Sequence, residues 1–115
     1  MSDNEITRKV LGNDKIVIDP GKSLDNSNAG ELLETFNSAL SEGYKFLILD
    51  MAKLEHLSSA GVGSILGTID AFREVQGDIV LCNVPDNILH ILQVLDLADF
   101  LTIKTDVMEA VDSGR

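Results

Sequence analysis

Short apolar segments with strand-like spacing alternate with segments of helical spacing along the chain. The run from Phe46 to Leu49 is apolar at every position, which is typical of an interior strand covered on both faces. The segment 6–11 is weaker and is expected at the edge of a sheet. In all, the pattern predicts strands at residues 6–11, 15–19, 44–50, 79–84 and 101–103.

Apolar residues at helical spacing predict three helices and a final helical turn at residues 107–111. Asn28 is expected to cap the first helix, and the side chain of Glu31 is expected to accept the amide of Asn28 in return. The helix is expected to end at Gly43. The second helix starts near Ser59 and ends at Gln76-Gly77. The predicted core stripes are Leu32, Leu33, Phe36 and Leu40, then Ile65, Leu66, Ile69, Phe72 and Val75, then Ile88, Ile91, Leu92 and Leu95.

The resulting order is β-β-α-β-α-β-α-β-(α), in which strands repeatedly alternate with crossover helices. Such an order implies a largely parallel sheet with right-handed connections. We therefore predict an α/β fold with a mixed, mostly parallel sheet of four to five strands and three to four helices. The length of 115 residues predicts one domain over residues 1–115.

The net charge of the chain argues against nucleic acid as a partner and favours a protein. Nine basic and 19 acidic side chains give a net charge of −10, whereas binding to nucleic acid requires clustered Lys and Arg. The chain is expected to bind a more basic protein surface instead. No apolar run approaches the ~20 residues that span a bilayer, and the polar start argues against a secretion signal, so a cytoplasmic protein without membrane insertion is expected.

The spacing of the Cys, His, Ser and Gly residues does not indicate a metal site, a cofactor site or a catalytic site. Cys82 is the single cysteine and lies in an apolar run, so a buried structural thiol is expected there. His56 and His90 lack the spacing of a metal pair. Ser58 and Ser59 have His56 nearby but no orienting carboxylate in the pattern of a hydrolase. Two glycine-rich stretches fail to match nucleotide-binding motifs, so we expect no metal, no cofactor and no enzymatic activity.

The loop that contains Ser58 and Ser59 is the strongest candidate for a functional site. A serine at the start of a helix commonly caps the free amide groups there. Gly61 and Gly63 in the first turn are costly relative to alanine, which is explained if another backbone approaches closely. A phosphate on a serine at this helix start would be accommodated by the positive end of the helix dipole.

The run from Leu47 to Leu66 resembles the signature of the STAS domain, found in sulfate transporters and in anti-sigma factor antagonists. The family pattern is a hydrophobic strand, Asp-Leu-Ser-x-Val, a short gap and then Asp-Ser-Ser/Ala/Thr-Gly-Leu-Gly. Leu24-Asp25 also matches the Leu-Asp that precedes the family's first helix. The likeness covers nearly the whole chain, although Ser58 stands where the family usually has Asp, and the stretch before Leu24 is one residue longer than is common.

This resemblance implies the function of an anti-sigma factor antagonist in a partner-switching pathway. The serine that matches the family's phosphoacceptor is Ser59, with the adjacent Ser58 as the alternative. The implied partners are an anti-sigma factor that is also a serine kinase, which supplies ATP and Mg²⁺, and a serine phosphatase. The implied partner-binding residues are Asp25, Ser58, Ser59, Ala60, Gly61, Val62 and Gly63.

The missing Asp before Ser59 keeps a second interpretation open. Some STAS domains act without phosphorylation, as scaffolds or as accessory subunits of signalling assemblies or transporters. The oligomeric state, the sigma factor and the stimulus are left open by the sequence.

Overall fold

The computed structural model describes residues 6–113, in which four helices accompany a five-stranded sheet and a two-stranded sheet. The strands are β1 (Thr7–Val10), β2 (Lys15–Asp19), β3 (Ser23–Leu24), β4 (Phe46–Asp50), β5 (His56–Leu57), β6 (Asp78–Cys82) and β7 (Thr102–Lys104). The helices are α1 (Ala29–Ser41), α2 (Ser59–Glu74), α3 (Asp86–Val94) and α4 (Val107–Ser113).

The larger sheet has the strand order β1-β2-β4-β6-β7. Only β1 pairs antiparallel within it, and the other neighbours pair in parallel. The predicted α/β class with a mixed, mostly parallel sheet is therefore confirmed. β1 lies at the edge, as expected, and all four of its residues are exposed.

The main core lies between one face of this sheet and α1, α2 and α3. Leu47 and Leu49 of β4 point into it and pack with Phe36 of α1 and Phe72 of α2. Ile48, between the two leucines, points to the opposite face, where it packs in a smaller cluster that includes Ala110 of α4. This double cover explains why the middle of β4 is apolar at every position.

Several strand boundaries differ from the prediction. β4 begins at Phe46 rather than at residue 44, because the amides of Lys45 and Phe46 both donate to the carbonyl of Asp14 before the parallel ladder starts. β6 ends at Cys82, since the next residue, Asn83, has φ of 52° and turns the chain. β7 is shifted by one residue, to Thr102–Lys104.

The predicted core stripes are correct in the middle of each helix except at Leu33, which is half-buried and outside the core clusters, and they are wrong at two helix ends. Val75 and Leu95, which were predicted to be in the core, are 41% and 50% exposed. Both are C-caps, and the residues after them, Gln76 and Asp96, have positive φ of 68° and 60°. The chain therefore turns away from the helix axis before these side chains reach the core. Gly43, with φ of 99°, follows the end of α1 as predicted.

Candidate functional site

Two loops that are distant in sequence are joined by the short strands β3 and β5. These strands pair in parallel, with Ser23 opposite His56 and Leu24 opposite Leu57. The amide of Ser58 extends the pairing by donating to the carbonyl of Leu24 at 2.9 Å. The pairing was not predicted, because two-residue strands carry no periodicity. It fixes the loop containing Asp25 against the start of α2.

The adjacent serines occupy different positions in the helix start. Ser58 is the N-cap of α2, and its hydroxyl accepts the amide of Gly61 at 3.5 Å, a long hydrogen bond. Its carbonyl accepts the amide of Val62 at 3.0 Å, which is the first backbone bond of the helix. Ser59 is the first residue of α2 and is exposed. The predicted placement of both serines at a helix start is therefore correct.

The two glycines of the first turn have different surroundings. A Cβ on Gly61 would lie 2.6 Å from the carbonyl oxygen of Leu24 and 2.7 Å from its Cβ, so the predicted close approach of another backbone is correct here. A Cβ on Gly63 would meet no atom within 4 Å, so the same explanation is wrong for Gly63. Gly63 instead lies on the exposed side of α2, on the same side as Ser59.

Asp25 sits in a tight turn that involves Ser27. Its carboxylate accepts the hydroxyl of Ser27 at 2.6 Å and the amide of Ser27 at 2.9 Å. These two bonds, the hydroxyl first, hold the pKa of Asp25 below its usual value, and the nearby His56 lowers that pKa further. Asp25 is therefore present as a carboxylate beside the start of α2.

Asn28 holds this turn from within the protein, a role that the sequence analysis missed. Its side chain accepts the amide of Asp25 at 3.0 Å and donates to the carbonyl of Ser23 at 2.7 Å, and the residue is only 6% exposed. The predicted capping of α1 by the Asn28 side chain is wrong, since that side chain makes no cap hydrogen bond. The sequence Asp25-Asn26-Ser27, which favours an Asx turn, was the available signal for the local geometry.

The predicted site residues are brought together, but they are not equally accessible. Asp25 and Ser58 line a surface depression of about 370 Å³ together with Asn26 and Ser27. Ser59 and Gly63 are exposed, and Ala60 is partly exposed. Gly61 and Val62 are buried, so they shape this surface from below and do not form its outer layer.

Neither a metal centre nor a membrane span emerges from residues 6–113. In that part of the chain, no three His, Cys, Asp or Glu side chains are grouped so that they could hold a metal ion. None of its helices has both the length and the apolar character needed to cross a membrane. Cys82 is fully buried in β6, as expected for a structural thiol.

Comparison with known proteins relates this geometry to a family. BtrV of Bordetella bronchiseptica, a candidate anti-sigma factor antagonist, is 30% identical over 80 residues, which are 70% of this chain and 66% of BtrV. The anti-sigma-B factor antagonist of Listeria monocytogenes is 27% identical over 74 residues, or 64% of this chain and 62% of that protein. The chain thus spans slightly less than two thirds of the length of these relatives.

Solved structures show the same fold. The candidate anti-sigma factor antagonist of Thermotoga maritima matches with a TM-score of 0.87 and 21% identity, over 96% of this chain and 94% of that chain. The antagonist SpoIIAA in its unphosphorylated form matches with a TM-score of 0.82 and 21% identity, over 95% of both chains. The family model that describes the STAS domain matches residues 5–110 of this sequence. The chain therefore belongs to the STAS domain family.

Proposed function

We propose that this protein is a cytoplasmic anti-sigma factor antagonist whose binding is switched off by phosphorylation of Ser59. The observation that carries the proposal is that two adjacent serines differ in hydrogen bonding and in exposure. The Ser58 hydroxyl is engaged with the amide of Gly61, whereas Ser59 is exposed on the first residue of α2. A kinase must reach the acceptor oxygen from solvent, which favours Ser59 over Ser58.

The relatives support the identity of the partners. BtrV and the Listeria protein carry the description of anti-sigma factor antagonists, and SpoIIAA of Bacillus has been solved in a phosphorylated as well as an unphosphorylated form. By analogy, the unmodified chain binds an anti-sigma factor that is also a serine kinase and thereby frees the sigma factor. A serine phosphatase restores the unmodified state. The antagonists of this family are not enzymes, so both reactions are supplied by the partners.

The electrostatics of the site explain how a phosphate would act. Phosphorylation adds about −1.5 to −2 charges at neutral pH. The helix start stabilises that charge locally, so the modified protein stays folded. The same charge is added next to Ser58, which lines a surface depression together with Asp25, on a chain whose net charge is already −10. A partner that docks on uncharged Ser59 must then desolvate a dianion, and its affinity falls.

The test is phosphorylation by the cognate kinase and ATP, followed by intact mass measurement and a binding assay. We expect one phosphate per chain, no phosphate on Ser59→Ala, and loss of kinase binding by the phosphorylated chain. Ser58→Asp is the matched control, because aspartate also caps helices and leaves Ser59 available. Labelling of Ser59→Ala at the rate of the unchanged chain would show that the acceptor is assigned wrongly.

One observation favours a second candidate function. Ser58 stands where the family pattern has an Asp before the phosphoacceptor. The loss of that carboxylate is expected if no kinase recognises this loop. The chain would then be a scaffold or an accessory subunit of a signalling complex or a transporter. Affinity purification from the source cell separates the two functions: recovery of a kinase supports the antagonist, and recovery of a large assembly or a transporter ATPase without a kinase supports the scaffold.

A further inference from the structure

Exposed apolar side chains are concentrated where α3 ends and the chain leads into β7. Val94 and Leu95 are 67% and 50% exposed, and Phe100, a few residues later, is 46% exposed. Exposed apolar side chains that are clustered in one short segment of the chain favour an interaction surface. We call this region, formed by Val94, Leu95 and Phe100 with the neighbouring Asp96 and Asp99, the α3 surface.

The α3 surface is held in place by the rest of the fold. Arg73 of α2 donates to the carbonyl of Phe100 at 2.9 Å, and its guanidinium lies 4.7 Å from the centre of the Phe100 ring. The same guanidinium pairs with Asp78 at 3.0 Å. On the other side, the amide of Leu97 donates to the carbonyl of Leu92 in α3 at 2.9 Å. A partner would therefore meet a preorganised surface, which lowers the entropy cost of binding.

The charges of this region select a cationic partner. Beside the apolar side chains lies a depression of about 300 Å³ that is lined by Gln93, Asp96, Ala98 and Asp99. The last turn of α3 contains no basic residue. The C-terminal end of the α3 helix dipole contributes further partial negative charge. Two carboxylates, a helix C-terminus and a chain of net charge −10 all favour a positively charged occupant.

The α3 surface is remote from Ser59. α2 has 16 residues from Ser59 to Glu74, so it is about 24 Å long at a rise of about 1.5 Å per residue. Ser59 begins this helix, whereas Arg73, which contacts Phe100, lies in its last turn. A partner on the α3 surface therefore leaves the start of α2 accessible.

We propose that the α3 surface binds a basic amphipathic helix of a partner protein, whether or not Ser59 is phosphorylated. The apolar side of that helix packs on Val94, Leu95 and Phe100. Its Lys or Arg side chains reach the depression between Asp96 and Asp99. The antagonist would thereby stay attached to a second protein through both states of the switch.

The test uses the chain of 115 residues labelled with ¹⁵N and two synthetic helical peptides of roughly 18 residues, one of Leu and Lys and the other of Leu and Glu. We expect the Leu/Lys peptide to bind with amide shifts confined to residues 93–100, and the Leu/Glu peptide not to bind. Val94→Ser and the double variant Asp96→Asn with Asp99→Asn should each weaken binding about tenfold. Asparagine tolerates the positive φ of residue 96, so the double variant keeps the backbone.

The matched control is Glu31→Gln with Glu34→Gln, which removes the same charge from exposed positions of α1 and should leave binding unchanged. Amide shifts spread over other acidic surfaces, or equal weakening by the control, would overturn the proposal. So would loss of peptide binding on phosphorylation of Ser59. Sedimentation showing that Val94→Ser abolishes self-association would identify a second copy as the occupant and overturn it as well. Apart from the phosphorylation experiment, these outcomes are independent of whether Ser59 is a phosphoacceptor.

Discussion

The Cα of Gly61 lies so close to the backbone of Leu24 that a Cβ at position 61 would be 2.6 Å from the Leu24 carbonyl oxygen. The same carbonyl accepts the amide of Ser58, so neither the helix start nor the loop can withdraw without losing a hydrogen bond. This contact joins the Asp25 turn to the beginning of α2. Both parts of the candidate site therefore depend on a glycine that is itself buried.

Gly61→Ala is expected to lower the free energy of unfolding by about 1–3 kcal/mol, because the new methyl group overlaps backbone atoms that cannot rotate away. Gly63→Ala is the control on the same helical turn and should be neutral or stabilising by up to about 1 kcal/mol, since alanine favours the helix. Urea denaturation of both variants measures the difference. Equal stabilities would contradict the close packing at Gly61.

Asn28→Ala should destabilise the protein by about 1–3 kcal/mol, because the amide of Asp25 and the carbonyl of Ser23 both lose a partner in a mostly buried site. Asn26→Ala in the same loop is the control, since Asn26 is exposed. Hydrogen exchange adds a local measurement: the Asp25 amide should exchange faster in Asn28→Ala. Unchanged protection of that amide would show that Asn28 does not hold the turn.

Ser58→Ala should cost about 0.5–2 kcal/mol through loss of the N-cap, whereas Ser59→Ala should be close to neutral because Ser59 is exposed. The 3.5 Å bond from Gly61 places the expected cost near the lower end of that range. Thermal or urea unfolding of the two variants separates the structural serine from the candidate phosphoacceptor. A larger loss in Ser59→Ala would reverse this division of roles.

The thiol of Cys82 should make stability depend on alkaline pH. Burial, and then the negative charges of Asp50 and Asp106, raise the pKa of Cys82 from 9.0 to about 12. Between these values the unfolded chain releases the thiol proton and the folded chain retains it, so stability is lost as the pH rises above 9.0. The loss is on the order of 1 kcal/mol per pH unit.

Urea midpoints of the unchanged chain and of Cys82→Ala at pH 8 and pH 10 check this expectation. From pH 8 to pH 10, the unfolding free energy of the unchanged chain should fall by more than that of Cys82→Ala. A thiol reagent added to the folded protein should also react slowly below the unfolding transition, because the thiolate is scarce and buried. Parallel pH dependence in both proteins would show that the Cys82 thiol does not ionise in this way.

The sheet and the middle of each helix could be predicted from the sequence because their signal is local. The positions Leu47, Ile48 and Leu49 of β4 and the helical stripe that includes Ile65, Ile69 and Phe72 indicate burial through spacing alone, and all of these residues are buried in the two core clusters. The helix ends were less predictable. Val75 and Leu95 continue the helical spacing, but the turn that follows each of them is decided by backbone conformation and leaves them exposed.

By itself, the sequence determined the α/β class, the placement of Ser58 and Ser59 at a helix start and the family resemblance, because propensity, spacing and motif are properties of neighbouring residues. Only the tertiary structure decided that β3 and β5 pair, that Asn28 holds the Asp25 turn, and that Gly61, but not Gly63, meets another backbone. These contacts join residues that are far apart along the chain or whose side chains could have bonded elsewhere. Their formation depends on how the whole core positions the two loops, which no local pattern records.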